Sequence, residues 1–262
     1  MHIFKKWLRM EVGIMDNRFG RDRMKPMMQA LGLVYVLLLL AVCLPDAPFH
    51  EKKAAIEREA GGKNVSVEAA SAGEGMQPRI ALTFDDGPNA SYTPRLLEGL
   101  RERNVKATFF VIGANIEKEG NEEIIRQMHE DGHLIGNHTY HHVDLSKLSL
   151  EQALFELEET NHLIAEITGE EPEYVRPPFG AWKEELDTEI TAIPVKWTVD
   201  PLDWTTENVQ EIVEKVVTDT EENDMILLHD CYESSVEAAL QIVDILKEEG
   251  YEFVTVDELL FD

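Results

Sequence analysis

Only two cysteines occur in 262 residues, Cys43 in an apolar run and Cys231 far along the chain. A disulfide framework is therefore excluded as the source of stability, and the fold must stand on burial. Basic residues are scarce as well: 24 Lys and Arg stand against 51 Asp and Glu, a formal net charge of −27. The deficit is uneven. Residues 1–50 hold seven basic and four acidic side chains, so the remaining 212 carry 17 against 47, a net of −30. That excludes nucleic acid as a partner, because phosphates would meet charge of their own sign over most of the surface. A neutral or cationic polymer remains open, although acidity on this scale also keeps a protein soluble in a salty medium and marks no site. Internal repeats are lacking beyond a strand-helix alternation, and long hydrophobic runs are lacking but for one. With 44% hydrophobic residues and a mean hydropathy of −0.26, disorder of the whole chain is excluded.

The one long apolar run covers 27–44 and has no charge. It is just long enough to span a bilayer and long for a signal-peptide core. Lys5, Lys6, Arg9, Arg18, Arg21, Arg23 and Lys25 precede it, and Asp46 and Glu51 follow. The basic side is expected in the cytoplasm and the C-terminal part outside. The expected organisation is a basic cytoplasmic leader at 1–26, a single-pass signal-anchor at 27–44, a flexible linker at 45–78 and a catalytic domain at 79–262. Cleavage near Pro45 to Ala47, giving a secreted protein, is the alternative. The catalytic domain is expected to be monomeric.

From Arg79 onward short apolar runs alternate with helical patterns. Strands are expected at 79–84, 108–112, 134–137, 174–176, 194–198, 225–229 and 252–254. Helices are expected at 93–103, 122–131, 150–168, 181–189, 207–220 and 235–249. The third has a capping-box start, Ser149 with Gln152, and a glycine stop at Gly169. Strand then helix, repeated, argues for an α/β fold with a parallel sheet, a distorted (β/α) barrel of about seven strands. In such a barrel reactive groups gather where strands run out into loops, and the polar clusters of this chain fall there.

Asp85-Asp86-Gly87-Pro88 follows the first strand. Turn chemistry alone could account for those residues, but two like charges at a semi-buried strand end need compensation by a cation or an Arg. His138 and His142 follow the third strand. A helical turn between them would set both rings on one face about 6 Å apart. With Asp86 they make two imidazoles and one carboxylate, a divalent-metal set that leaves open positions for water and substrate. Asp85 is then left for proton transfer. Arg176, stiffened by Pro177 and Pro178, supplies the cation that would keep Asp85 ionised and oriented. Asp200 offers a carboxylate to hold Arg176 in turn. Trp204 fits either an apolar wall for a sugar ring or core filling. His229 leaves the sixth strand at the same mouth, where an imidazolium could give a proton to a leaving group. His129, His133 and His162 read as structural, and Cys231 as a bystander.

Thr83 to Pro88, His138 to His142, Arg176 to Gly180, Asp200 to Trp204 and Leu227 to His229 resemble, in order and spacing, the five motifs of the polysaccharide deacetylases, the NodB-homology domain of carbohydrate esterase family 4. The resemblance covers 79–261. It implies a metal-dependent hydrolase that removes acetyl groups from N-acetylated sugars, usually with zinc; cobalt or nickel can occupy the same ligands. It assigns Asp85 as base, Asp86, His138 and His142 as metal ligands, and His229 as general acid. Arg176 orients Asp85, with Asp200 behind it. The third motif often has Tyr where this chain has Phe179; the role there, in the Pro178-Phe179 turn, is a backbone N–H toward the oxyanion. The stretch 180–197 is short for the family. Export favours cell-wall peptidoglycan (GlcNAc or MurNAc) or a chitin-like oligosaccharide as substrate. Two alternatives stand: an O-acetyl esterase on xylan or another polysaccharide, and a non-catalytic carbohydrate-binding protein. A non-haem iron oxygenase would want His-x-Asp close in sequence and a jelly-roll pattern, and this chain has neither.

Overall fold

The computed structural model describes residues 77–261. The expected leader, membrane segment and all but the last two residues of the linker lie outside the described residues. Among the described residues no helix is long and apolar enough to cross a membrane.

In chain order the elements are β1 (Arg79–Gly87), α1 (Thr93–Glu102), β2 (Thr108–Val111), α2 (Gly113–Ile116), α3 (Asn121–Glu130), β3 (Leu134–Asn137), α4 (Leu150–Thr168), β4 (Tyr174–Val175), β5 (Ile193–Pro194), α5 (Val209–Asp219), β6 (Met225–His229), α6 (Glu233–Glu248), β7 (Glu252–Val254) and α7 (Val256–Phe261). Every strand pairing is parallel, in the order β5-β4-β3-β2-β1-β6, with β7 on the first residues of β1. The α/β class and the seven strands agree with expectation.

β1 organises the interior by its period of two. Ile80, Leu82 and Phe84 join the large core between sheet and helices, shared with Leu96, Leu97 and Leu100 of α1 and Ile242, Val243 and Leu246 of α6. Truncating one such buried Leu to Ala typically costs about 2–5 kcal/mol. The alternate residue Ala81 belongs to a smaller cluster with Phe110, Tyr174, Val195 and Val256. Gly99 of α1 is a close approach: a Cβ there would lie 2.5 Å from Leu240 of α6.

α4 begins and ends where the sequence places it. The Ser149 hydroxyl accepts from Gln152 N–H at 3.2 Å, and the Gln152 side chain accepts from Ser149 N–H at 3.1 Å. Gly169 stops the helix at a φ of 82°, which costs a residue without Cβ nothing.

Two expectations need correction. The strand expected at 194–198 is broken: 193–194 pair with β4, and bonding to β6 begins at Thr198 and Val199, whose N–H groups both donate to the Met225 carbonyl, with Val199 bridging Ile226. Val195 N–H still donates to Val175 and Leu227 N–H to Val199, so the segment carries the sheet round from β4 to β6. The interruption has a cause, because the Lys196 carbonyl accepts from Arg176 Nη2 at 3.0 Å instead of from a neighbouring strand. The helix expected at 181–189 is only a 3₁₀ turn at Glu184–Thr188. Leu186 is its one buried residue, which is too little apolar surface to support an α-helix. This fits the short 180–197 stretch.

Candidate active site

Adjacent residues in a regular strand point to opposite faces, so Asp85 and Asp86 could not share a site without a break in register. β1 supplies one: Asp85 pairs with Phe110 and Gly87 with Val111, leaving Asp86 as the extra residue of a bulge. Asp86 takes the left-handed backbone, φ 71°, and Asn115 Nδ2 donates to its carbonyl at 2.7 Å. The bulge brings both carboxylates to one mouth. Gly87 follows in close contact, since a methyl there would collide with the buried Asp230 carboxylate.

Asp85 is buried and held from below. Arg176, 0% exposed, donates from Nη1 to Asp85 Oδ1 at 2.8 Å and to Thr83 Oγ1 at 2.6 Å, and its guanidinium lies 4.1 Å from the Phe110 ring centroid. Burial lowers the Arg176 pKa and Asp85 works against that fall. Asp200 takes no part. Its Oδ1 accepts from Leu202 N–H at 2.9 Å on the rim of the site, so the expectation that it holds Arg176 is corrected. Thr83, Asp85 and the Lys196 carbonyl do so.

Arg176 has a second task through its backbone. Its carbonyl lies 2.6 Å from His138 Nδ1; a carbonyl can only accept, so the ring proton sits on Nδ1 and the Nε2 lone pair is presented to the site. His138 Nε2 is 3.5 Å from Asp86 Oδ1, and His142 Nε2 is 3.3 Å from the same oxygen. The helical turn expected between the imidazoles is absent. Thr139 and His142 are left-handed, φ 65° and 55°, and this loop sets the ring centroids 5.0 Å apart.

The loop is pinned by side chains that the sequence did not single out. Asn137 Oδ1 accepts from Thr139 N–H at 2.7 Å. Glu156 of α4, nearly buried, accepts from His141 N–H at 2.7 Å and lies 2.8 Å from His141 Nδ1. Glu156→Gln is expected to lower unfolding free energy by about 1.5–3 kcal/mol, the scale of a hydrogen bond to a charged group. Urea denaturation measures it, and an unchanged midpoint would remove Glu156 from this role.

Asp86, His138 and His142 each offer a ligand atom, all within 4.8 Å of one another. Asp86 Oδ1 is buried with no hydrogen-bond partner. Burial raises the Asp86 pKa, yet the histidines outweigh it and the net shift is down; burial lowers the His142 pKa. One carboxylate oxygen and two imidazole nitrogens converging on one point fit a divalent cation, which takes such ligands deprotonated.

Across the mouth stands His229. Asp203, 1% exposed, binds it twice: Oδ2 accepts from His229 N–H at 2.9 Å and Oδ1 lies 2.8 Å from Nδ1. Burial would lower the His229 pKa, but the Asp203 hydrogen bond and the nearby carboxylates raise it to about 9. Sequence reasoning chose Asp200 of this motif for a structural role and assigned none to Asp203. The 3₁₀ turn Asp203–Thr205 sends Asp203 inward and Trp204 outward, and composition carries no signal for that.

Asp85, Asp86, His138, His142, Asp200 and His229 line one cavity of about 370 Å³. Trp204, 56% exposed, is on its wall and so is not core filling. Phe179, 69% exposed, sits in the turn after Pro178 with φ 60°. Gly180 N–H and Ala181 N–H close that turn, and Phe179 N–H makes none of its hydrogen bonds. A larger depression of about 860 Å³, bordered by Thr168, Tyr174 and Ile193, holds no comparable donor set. His133, whose Nδ1 accepts from Ala107 N–H and whose pKa burial pushes to about 4, is structural as expected.

A parallel sheet with a buried Asp85–Arg176 pair, three converging ligand atoms and an Asp203-bound imidazole around one mouth is an arrangement suited to hydrolytic chemistry in an α/β enzyme. A sequence model of the family described as polysaccharide deacetylase matches residues 72–197. Peptidoglycan-N-acetylmuramic acid deacetylase PdaC of Bacillus subtilis is 39% identical over 183 residues, 70% of this chain and 39% of the relative. Its solved structure superposes with a TM-score of 0.68 at 38% identity, covering 70% of this chain and 90% of that one. A peptidoglycan-N-acetylglucosamine deacetylase of Bacillus cereus is 36% identical over 189 residues, 69% of this chain and 87% of the relative. A family 4 acetyl xylan esterase from Clostridium thermocellum, solved with a cobalt ion, aligns with a TM-score of 0.65 at 34% identity over 69% of this chain and 89% of that one. The chain belongs to the polysaccharide deacetylase family. It spans about two fifths of the length of PdaC.

Proposed function

We propose that this protein hydrolyses the N-acetyl groups of a cell-wall polysaccharide, releasing acetate and leaving a free amine. The observation that carries the reading is Asp85, fixed by Arg176, beside three converging ligand atoms and opposite a His229 that Asp203 keeps protonated. A divalent cation held by Asp86, His138 and His142, most simply zinc, would supply Lewis acidity toward the acetamide oxygen and acidify the attacking water. The family 4 acetyl xylan esterase solved with a cobalt ion supports a divalent cation as the cofactor.

Asp85 takes the proton of the attacking water as the C–O bond forms. Arg176 holds it correctly turned through the Nη1 hydrogen bond. The oxyanion that develops on the acetyl carbon lies toward Phe179 N–H, a donor whose turn leaves it unspent. His229 then gives its proton to the amide nitrogen as the C–N bond breaks, because an unprotonated nitrogen anion is too poor a leaving group. Acetate and the amine leave, and Asp85 and His229 exchange their proton states with solvent.

The pH dependence follows from His229. Its acid form is present below its pKa, so activity falls as pH rises through that value. A bound dication would offset the share that Asp85 and Asp86 contribute, leaving the share from Asp203. Asp203→Asn is expected to move the basic limb of the pH–kcat profile to lower pH, toward the ordinary imidazole range. An unmoved limb would sever Asp203 from the acid.

Acetate release from N-acetylglucosamine oligomers, set beside release from acetylxylan, tests the reaction. Preferential release from acetylxylan would make the protein an O-acetyl esterase. Release from neither, with binding retained, would make it a carbohydrate-binding protein. The basic 1–26, apolar 27–44 and acidic remainder support single-pass anchoring with a monomeric catalytic domain outside the cell. Protease treatment of intact cells tests that orientation.

A further inference from the structure

We infer that Leu202 is a substrate-contacting residue, packing its side chain on the apolar C–H face of a sugar ring while the acetamide reaches Asp85; this rests on the deacetylase reading.

Backbone strain points to it. Among the described residues seven non-glycine residues take the left-handed conformation, and two of them, Asn104 and Asn223, are turn asparagines, a residue type that tolerates it. The other five, Asp86, Thr139, His142, Phe179 and Leu202, gather at the mouth of the site, the place where folds characteristically hold such strain. Four of these have a task. Asp86 and His142 offer ligand atoms, Thr139 shapes the loop between the imidazoles, and the Phe179 turn presents its N–H. Leu202, at φ 58° and ψ 43°, has none.

Nothing in the turn requires a leucine there. Leu202 N–H donates to Asp200 Oδ1 at 2.9 Å, and its carbonyl accepts from Thr205 N–H at 2.9 Å and from Thr205 Oγ1 at 2.7 Å. Glycine would make all three bonds without the steric cost of a Cβ. The side chain does not serve the core either, since it belongs to none of the three buried apolar clusters and is 45% exposed on the cavity wall. A leucine that strains its own backbone without joining the core is explained by what enters the cavity. Asp85 and His138 are buried at its floor, so an acetamide carried down to them leaves its pyranose ring level with the exposed wall. Leu202 shares that wall with Trp204 and Tyr232, and such surfaces pack against the C–H face of a sugar while its hydroxyls stay hydrated.

The test measures steady-state acetate release from N-acetylglucosamine oligomers by the full chain, loaded with zinc, as wild type, Leu202→Gly and Leu202→Met. Leu202→Gly is expected to raise KM about three- to tenfold, the scale of burying roughly half of a Leu side chain. Its kcat is expected to be unchanged, because a contact made equally in ground and transition states acts on KM alone. Its melting temperature is expected to be unchanged or higher. Leu202→Met, which restores an apolar side chain of similar volume, is expected to keep KM within about twofold of wild type. An unmoved KM in Leu202→Gly overturns the inference and leaves the deacetylase reading standing. A lower kcat with a displaced basic limb of the pH profile does the same, since the turn would then act through Asp203 and His229. A lowered melting temperature also overturns it, by making the side chain part of the fold. A KM raised as far by Leu202→Met as by Leu202→Gly removes the apolar contact. No acetate from the wild type overturns the deacetylase reading, and the inference with it.

Discussion

Asp85→Asn lowers acetate release by about 100- to 10,000-fold, the range over which a positioned general base acts, and leaves the metal content unchanged. Asn preserves the shape and one acceptor for Arg176 Nη1, so the ligand atoms of Asp86, His138 and His142 keep their places. What is lost is the group able to take a proton from water. The substitution has a second consequence, because Arg176 is wholly buried and Asp85 is its counter-charge. Removing one charge of a buried pair typically costs about 3–5 kcal/mol, and the retained hydrogen bond places Asn at the low end. The assay is therefore run well below the variant's own melting temperature, with metal content measured on the same sample. A variant that holds metal and keeps near-native activity would refute the assigned role.

His138→Ala loses metal and activity together. The imidazole contributes its Nε2 to the ligand set, and through Nδ1–H it satisfies the Arg176 carbonyl, so its removal opens both the cation position and the floor beneath Asp85. Elemental analysis after dialysis is expected to find almost no bound metal, and acetate release is expected to fall to the level of chelator-treated wild type. Half-buried His142 is placed by the same loop but lacks the tie to Arg176, so His142→Ala is expected to retain more of the fold. Full metal occupancy in His138→Ala would remove this residue from the ligand set.

The contrast between these two variants depends on details that the sequence shows only in part. Residue types and their order were legible: an adjacent acid pair, two histidines four apart and a histidine at a strand end fall at the mouth, and an arginine before two prolines falls directly beneath it. α4 was legible to the residue because its capping box and terminal glycine are local signals. How adjacent aspartates come to share one face was not, since the bulge at Asp86 depends on pairing with β2, far away in sequence. The same holds for Asp200 and Asp203. Both are acids of one short motif, and only the turn at 203–205 decides that Asp203 reaches His229 while Asp200 stays on the rim. The broken strand at 193–199 is a tertiary effect too, because the Lys196 carbonyl serves a buried guanidinium at the expense of the sheet. The histidine loop, read as helical from its spacing, is shaped by Asn137, Glu156 and two left-handed residues. Periodicity recovers elements that bury a regular face, whereas long-range polar contacts set the geometry of the mouth.

The most direct measurement is acetate release from N-acetylglucosamine oligomers by metal-stripped protein titrated with zinc. The rate is expected to be near zero at the start, to rise in proportion to added metal and to level off at one equivalent per chain. Full release before any metal is added, or none at saturation, would contradict the assignment of Asp86, His138 and His142 as the heart of a deacetylase site.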